Sequence, residues 1–529
     1  MVRKKKLQVV VADPLHPKGW KKLREQEDIA IIGPFDCDAD LHSALAEADA
    51  LLICADTRVD AALLSSAPKL KVVARAGARL DNVDIDDATR RGILVLHVPE
   101  ANVMAVVEYT FLLMLAMARQ SGHRDGWNEY GNEELGFELA GKNLGIIGYG
   151  RQGREVARRA QAFGMYILAY DPYIDLSFAR EQQVEVVDLP ELLARADIIT
   201  LHTAYMEKTR HILGKEAFAR MKRGAYLINC IHSGLVDEAA MMTALDSGQL
   251  AGVAMDVWDQ ETIANSSELL THPKIWVSRN RKVATREAQE GTAVRVVSDM
   301  LSALRGDDYH NVVNLPFNEA MPYRRVKPYI DLAVKLGKLQ GQLAEGWIQR
   351  VEVELLGEGL ENLVRPVAAV LLSGMIRRVD ERPVNWVSAP VLAFEQGIVT
   401  SQTKDLVDMV DYPALIACRV YWKGGQRTVA GALFGNGEAR LVAYDHFEVD
   451  AYPNGYVLIL ENEDTPGVIG KVGTRLSRER ISIAQWRYGR EKPGGRAVSF
   501  INLDQRVPEV ILTELEQEPE IHQARLVRL

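Results

Sequence analysis

Short apolar runs recur through the first hundred residues, at 7–12, 50–54, 70–74 and 93–97, each separated by a polar stretch long enough for a helix. Continuous runs of this length, without in-and-out alternation, predict strands buried on both faces, and their spacing predicts a parallel sheet wrapped by helices. A long apolar helix is predicted over 102–120. Val103, Val106, Tyr109, Leu112, Leu115 and Met117 fall on more than one of its faces, so burial on several sides is expected. After a polar segment, 121–141, a second set of strands runs through 144–147, 166–170, 184–187, 198–202, 225–229 and 252–257, as a doubly wound sheet would. From 275 to 304 the pattern reads as helical. Three prolines and several charges over 312–328 predict a linker into a new domain. Beyond it a helix over 327–346 and strands at 348–356, 414–422, 427–434 and 439–444 make an α+β module, and from Gly455 the order reads strand, helix, strand, strand, helix, strand.

The length, 529 residues, corresponds to three or four domains at roughly 150 residues each. With 47% hydrophobic and 26% charged residues the composition is that of a soluble globular chain, which sets aside disorder, collagen-like repeats and a membrane bundle. A net charge of -9 leaves no global cationic field for nucleic acid or a membrane surface, so any anion site must be local. The basic start runs straight into the first strand and carries no export signal, and a cytoplasmic protein is expected. Four cysteines without CxxC spacing predict reduced core thiols, and no metal site is expected.

The strand at 144–147 opens directly into Gly148-Tyr149-Gly150-Arg151-Gln152-Gly153, a helix follows, and the next strand ends at Asp171. Gly148 permits the tight turn, Gly150 lets a pyrophosphate approach the helix N-terminus, and Gly153 allows close helix-to-strand packing. Asp171 lies where a carboxylate accepts both ribose hydroxyls of NAD and repels the phosphate of NADP.

At these residues the chain resembles the long-form D-3-phosphoglycerate dehydrogenases, NAD-dependent enzymes of serine biosynthesis. The stretches that carry the resemblance are 70–84, 141–173, 225–238, 285–289 and 464–473. It implies a Rossmann-type doubly wound parallel sheet (101–285) inserted in a flavodoxin-like α/β substrate domain (1–100 with 286–318). An α+β intervening domain (319–454) and a C-terminal βαββαβ ACT domain (455–529) are implied after them. It places Arg151, Gln152, Thr203 and Asp256 with the glycines and Asp171 among the contacts of NAD, and Arg75, Gly77, Arg79 and Asn102 in the substrate region.

The family's chemistry requires an Arg to hold the substrate carboxylate, a His to take the hydroxyl proton and a Glu to orient that His. Matched residue by residue, those positions hold His232, Asn280 and Glu261, so only the Glu is kept. His272 belongs to the preceding turn and is no replacement. The Arg expected before the substrate loop is Cys54, and a loop glycine is Arg79, whose long side chain could fill the nicotinamide end of the site. His232 is open to two readings, a satisfied loop residue or a relocated base facing Glu261. Arg79, Arg279, Arg281 and Lys282 are either cations gained by the site or solvated surface charges. In the ACT domain Asp464 matches the ligand loop, but Ser482 replaces the amide that contacts serine in relatives, leaving an amino-acid effector and a pure assembly role both open. Two functions stand: an NAD-binding homologue without normal turnover, acting as a regulatory or altered-ligand protein, and a working dehydrogenase of 3-phosphoglycerate or another 2-hydroxy acid with a substituted base. A small anionic metabolite is the expected ligand. The expected partners are copies of the chain, as a dimer or tetramer, with pairing to an active paralogue as the alternative.

Overall fold

The computed structural model describes residues 6–35, 38–120, 135–257, 269, 272–278, 281–316, 323–357, 360, 363–376, 384–407, 412, 414–435 and 437–529. The chain divides into two compact units, one of Met1–Leu15, Lys21–His97 and Val296–Leu529 and one of His16–Trp20 and Val98–Arg295.

In the first unit, β1 (Leu7–Val11), β2 (Ile29–Ile32), β3 (Ala50–Ile53), β4 (Val72–Arg75) and β5 (Leu94–Leu96) form a sheet in the order β2-β1-β3-β4-β5. Every pair is parallel, which is the flavodoxin-like winding. The apolar runs are continuous because both faces are covered: Val9, Val10, Leu51, Leu52 and Val73 are fully buried. Asp60 and Asp84 start the connecting helices by accepting backbone N–H groups.

The second unit holds β6 (Asn143–Ile147), β7 (Tyr166–Tyr170), β8 (Glu185–Val186), β9 (Ile198–Leu201), β10 (Ala225–Asn229), β11 (Leu250–Met255) and β12 (Ile275–Val277). Their order is β12-β11-β10-β9-β6-β7-β8, all parallel. The chain winds outward from β6 through β7 and β8, then returns to β9 on the other side, so the topological switch lies between β6 and β9. The helical reading of 275–304 needs correcting at its start, since Ile275–Val277 is an edge strand and the helix begins at Arg286. Three apolar residues are too few to show a period. The helix Val103–Ala118 buries Val106, Val107, Phe111, Leu113, Met114 and Met117. Within the chain its burial spans several faces and leaves Met104, Leu112 and Leu115 as an exposed stripe, Leu112 at 56%. Among the described residues no helix is long and apolar enough to cross a membrane.

The first unit continues with β13 (Ile348–Gly357), β14 (Val399–Gln402), β15 (Ala414–Trp422), β16 (Gly425–Leu433), β17 (Ala439–Tyr444) and β18 (Phe447–Ala451), ordered β14-β13-β15-β16-β17-β18. Only the β13/β14 pair is parallel. The helix ahead of β13 spans Tyr323–Leu343 with Pro328 inside it, so part of the expected linker is helix. A proline six residues into a helix removes one backbone bond, which the apolar face of this helix offsets. The helices Val364–Met375 and Ala389–Glu395 were not foreseen; the first is so apolar that it shows no polar face to read. Finally β19 (Tyr456–Glu463), β20 (Ile483–Arg490), β21 (Arg496–Leu503) and β22 (Ile521–Arg528) form an antiparallel sheet ordered β20-β21-β19-β22, with helices Val468–Arg478 and Glu509–Glu516 giving the βαββαβ order.

Candidate nucleotide site and its neighbouring side chains

The turn after β6 is built for close approach. Gly148 has φ +97°, and a Cβ there would stand 2.5 Å from the Thr203 nitrogen. A Cβ on Gly153 would stand 2.2 Å from the Gly148 carbonyl oxygen, so only glycine lets the helix Arg151–Ala162 start against the strand. Gly150, the N-cap, has open space where its Cβ would be, and no side chain caps the helix or places an acid in its first turn. The N–H groups of that turn and the positive end of the helix dipole are left for an anion. Arg151 pairs with Glu100. Asp171 follows β7, and its two oxygens accept the Tyr149 and Tyr173 N–H groups, each at 2.9 Å. A carboxylate has about four acceptor positions, so roughly two remain for the hydroxyls of a ribose. These residues fit a dinucleotide's adenosine diphosphate half.

The strands on the other side of the switch end differently. His202, just after β9, has its Nε2 3.0 Å from the Thr200 hydroxyl, while its Nδ1 is sealed from solvent without a hydrogen-bond partner. Burial drives its pKa down to about 3. After β10, Asn229 is fully buried and donates to the His232 carbonyl at 2.8 Å. The His232 ring stacks on Tyr205 with centroids 4.1 Å apart and planes 2° from parallel, and its Nδ1 accepts the Gly234 N–H at 3.0 Å. A neutral imidazole that accepts at Nδ1 carries its proton on Nε2. A Cβ at Gly234 would lie 2.6 Å from the Tyr205 ring, so a larger residue there would displace the stacked ring.

Asp256, after β11, is fully buried. Its Oδ1 accepts the Ser278 hydroxyl at 2.5 Å and the Arg281 N–H at 2.8 Å, and its Oδ2 accepts the Lys282 N–H at 3.1 Å and lies 3.5 Å from the Lys282 ammonium. Tyr109 reaches the same cluster through Ser278, and burial raises its hydroxyl above the usual range. Burial also pushes the nearby Cys230 thiol up to about 12, with Asp256 adding to it. Lys282 is therefore no solvated surface charge, whereas Arg281 is exposed. Asn102 precedes the helix Val103–Ala118 without capping it, and its Oδ1 is buried and lacks a hydrogen-bond partner. Glu261, Arg279 and Asn280 lie outside the described residues.

In the first unit Arg75 ends β4, buried, with its Nε 3.3 Å from the Asn82 side-chain oxygen, and burial lowers its pKa. Gly77, at φ +155°, leaves room for that guanidinium, which a Cβ would meet at 2.3 Å. Arg79 is half exposed and pairs with Asp81 at 2.7 Å. The Cys54 thiol donates to the Pro14 carbonyl at 3.4 Å, and burial together with Asp13 pushes it up to about 11, so it is neither an anion anchor nor a nucleophile. In the last sheet Asp464 is held low by the Gly494 N–H, the Tyr488 hydroxyl and Arg490, while Ser482 is exposed.

Residues 111–278 match the family model of the D-isomer specific 2-hydroxyacid dehydrogenase NAD binding domain, 325–445 the D-3-phosphoglycerate dehydrogenase intervening domain, and 456–520 the ACT domain. The chain is 35% identical to a D-3-phosphoglycerate dehydrogenase of Methanocaldococcus jannaschii over 99% of this chain and 100% of that one. It belongs to the D-3-phosphoglycerate dehydrogenase family. A Bacillus subtilis member is 33% identical over 98% of this chain and 99% of its own length. Among solved structures, the TT0316 protein of Thermus thermophilus matches at TM-score 0.52 and 33% identity, covering 58% of this chain and all of that one. A D-lactate dehydrogenase of Aquifex aeolicus, complexed with NAD and lactic acid, matches at TM-score 0.50 and 25% identity over 57% of this chain and 96% of that one. Within the family the nucleotide of this domain is NAD, and the glycine turn with Asp171 fits it. Reading the sequence missed Tyr205, Ser278 and Tyr109. No motif marks them, because each acts through a residue far along the chain.

Proposed function

We propose that this chain is an NAD-binding member of the D-3-phosphoglycerate dehydrogenase family without ordinary turnover of 3-phosphoglycerate, serving as a ligand-binding or regulatory protein. The observation that carries the reading is the state of His232. It stands where the family's substrate-binding Arg stands, it brings no fixed charge, and its Nδ1 is committed to the Gly234 N–H. An imidazole cannot offer the bidentate fork of a guanidinium. Asn280, at the general-base position, has no basic lone pair, and Cys54 offers no cation to a phosphate. The ligand in this reading is a small anionic metabolite. Cytoplasmic location belongs to the same reading, and an amino-acid effector at the ACT domain would have to displace Arg490 and Tyr488 from Asp464.

The test is steady-state turnover by the purified protein, with 3-phosphoglycerate and NAD and with NADH and a panel of 2-oxo acids. Loss of a general base alone lowers rates by about 10² to 10⁴, so rates at least about 100-fold below an active relative are expected with every substrate. Robust turnover with any of them would sink the proposal and establish the working dehydrogenase instead. Single restorations should do little, because groups acting as a unit are non-additive; the combined change His232→Arg, Asn280→His, Cys54→Arg and Arg79→Gly is the informative one. We further propose that the exposed stripe of Met104, Leu112 and Leu115 is covered by a second copy of the chain about a twofold axis.

A further inference from the structure

An antiparallel sheet commonly keeps one face in water. The last sheet does not: Val457, Leu458, Ile459 and Leu460 are at most 2% exposed, so β19 is buried on both faces. Leu458 and Leu460 pack under the helices Val468–Arg478 and Glu509–Glu516. Val457, Ile459 and Phe500 join instead the core built by the helix Tyr323–Leu343 and the strands β15 to β18. There the Tyr444 and Phe500 rings meet edge-on with centroids 5.4 Å apart. At the rim Gln342 closes on the end of β22, its Nε2 donating to the Arg528 carbonyl at 3.0 Å and its Oε1 accepting the Arg528 N–H at 2.9 Å.

Apolar contact is non-directional, and direction comes from Arg427, which is 8% exposed and touches three elements at once. Its Nη1 donates at 3.1 Å to the Leu343 carbonyl, the end of the helix Tyr323–Leu343. Its Nε lies 3.6 Å from Asp445, just after β17, and its Nη2 lies 3.7 Å from Glu461 on β19. The Tyr444 hydroxyl donates to the same Glu461 oxygen at 3.3 Å. Lifting the last sheet away would open the shared core and take Glu461 from a buried guanidinium in one step. We propose that the intervening and ACT domains form one cooperative body, pinned by Arg427, so that the ACT domain opens with its neighbour and does not swing by itself. A change in the ACT domain is then carried by the helix Tyr323–Leu343, whose Tyr323 ring meets Tyr309 edge-on at 4.9 Å. This holds whether or not the chain turns a substrate over.

Hydrogen exchange of the full chain, followed peptide by peptide through a urea series, tests this. Peptides from β19 and β22 are expected to lose protection at the same urea concentration as peptides from β13 and β15. Loss at a clearly lower concentration in β19 and β22 overturns the single body. In Arg427→Met without urea, β19 and β22 should exchange at least about tenfold faster than in wild type, with β13 and β15 changed by less than about threefold. No acceleration, or equal acceleration in all four strands, overturns the assignment of Arg427 as the pin. If Arg427→Met does not fold, Glu461→Gln removes the charge from the ACT side alone and should accelerate β19 and β22 by at least about threefold over β13 and β15. An unchanged ratio in that variant counts against the pin in the same way.

Discussion

Asp171 and Asp256 stand on opposite sides of one switch point, after strands of the same sheet, and differ in what the chain asks of them. Asp171 accepts two backbone N–H groups and keeps acceptor capacity for a ligand. Asp256 accepts three hydrogen bonds from the chain and lies 3.5 Å from the Lys282 ammonium. The binding half of the site depends on backbone shape, on glycines whose Cβ positions are forbidden by carbonyl oxygens and neighbouring nitrogens. The half that would carry chemistry depends on a handful of side chains at loop ends, and those can be exchanged without disturbing a strand. A fold can thus keep one half of a site through its backbone while the side chains of the other half vary.

The comparison breaks most completely at Gly153. A Cβ there meets the Gly148 carbonyl oxygen at 2.2 Å and the Ile146 side chain at 3.2 Å. Gly153→Val must push the helix Arg151–Ala162 away from β6, at a cost of about 3 kcal/mol for overpacking of this kind, and with it the N–H groups that would meet the pyrophosphate. Loss of NAD affinity by at least about 100-fold is expected in calorimetry, with a lower melting temperature. Binding within tenfold of wild type would mean that the turn is not the anchor and that the two halves differ less than their carboxylates suggest.

Legibility follows the same division. The glycine turn and Asp171 lie within one strand-helix-strand unit, so spacing alone displays them, and both parallel sheets follow from apolar runs that burial on two faces makes continuous. The Asp256–Lys282 pair joins residues far apart in the chain: the lysine is visible in sequence as a cation, but its direction is set by the turn Arg281–Val283, which brings it to the end of β11. Tyr205 and His232 meet only because β9 and β10 are neighbours. The same holds for Cys54, whose burial against Pro14 and Asp13 depends on β1 pairing with β3. Pro328 misled because proline is a stop signal in isolation, while the helix around it is set by packing on the helix Val364–Met375 and on β16.

A smaller effect sharpens the comparison by removing assembly from it. The helix Val103–Ala118 packs on the helix after the glycine turn and on β10 and β11, and so touches both halves, while Leu112 points away from them. Leu112→Glu is expected to leave nucleotide affinity within about twofold and to convert a species of at least twice the 58.9 kDa chain mass to monomer in light scattering at micromolar concentration. A wild-type protein that is already monomeric would remove the twofold pairing, and a variant that loses its nucleotide would show that the stripe belongs to the binding half.

The smallest expected effect is a pH dependence at the junction itself. His202 follows β9, the strand beside the switch, and its sealed Nδ1 holds its pKa at about 3 in the folded chain, against roughly 6.5 when unfolded. Between those values the unfolded chain binds the extra proton, so stability is fully present above pH 6.5 and falls as the pH drops toward 3, by up to about 1.4 kcal/mol per pH unit. His202→Gln keeps a polar group beside Thr200 and removes the titration. Urea unfolding at pH 7 and pH 5 should therefore show the variant losing about 2 kcal/mol less than wild type over that interval. Equal losses would mean that water reaches Nδ1, and that the junction between the two halves of the site is open to solvent.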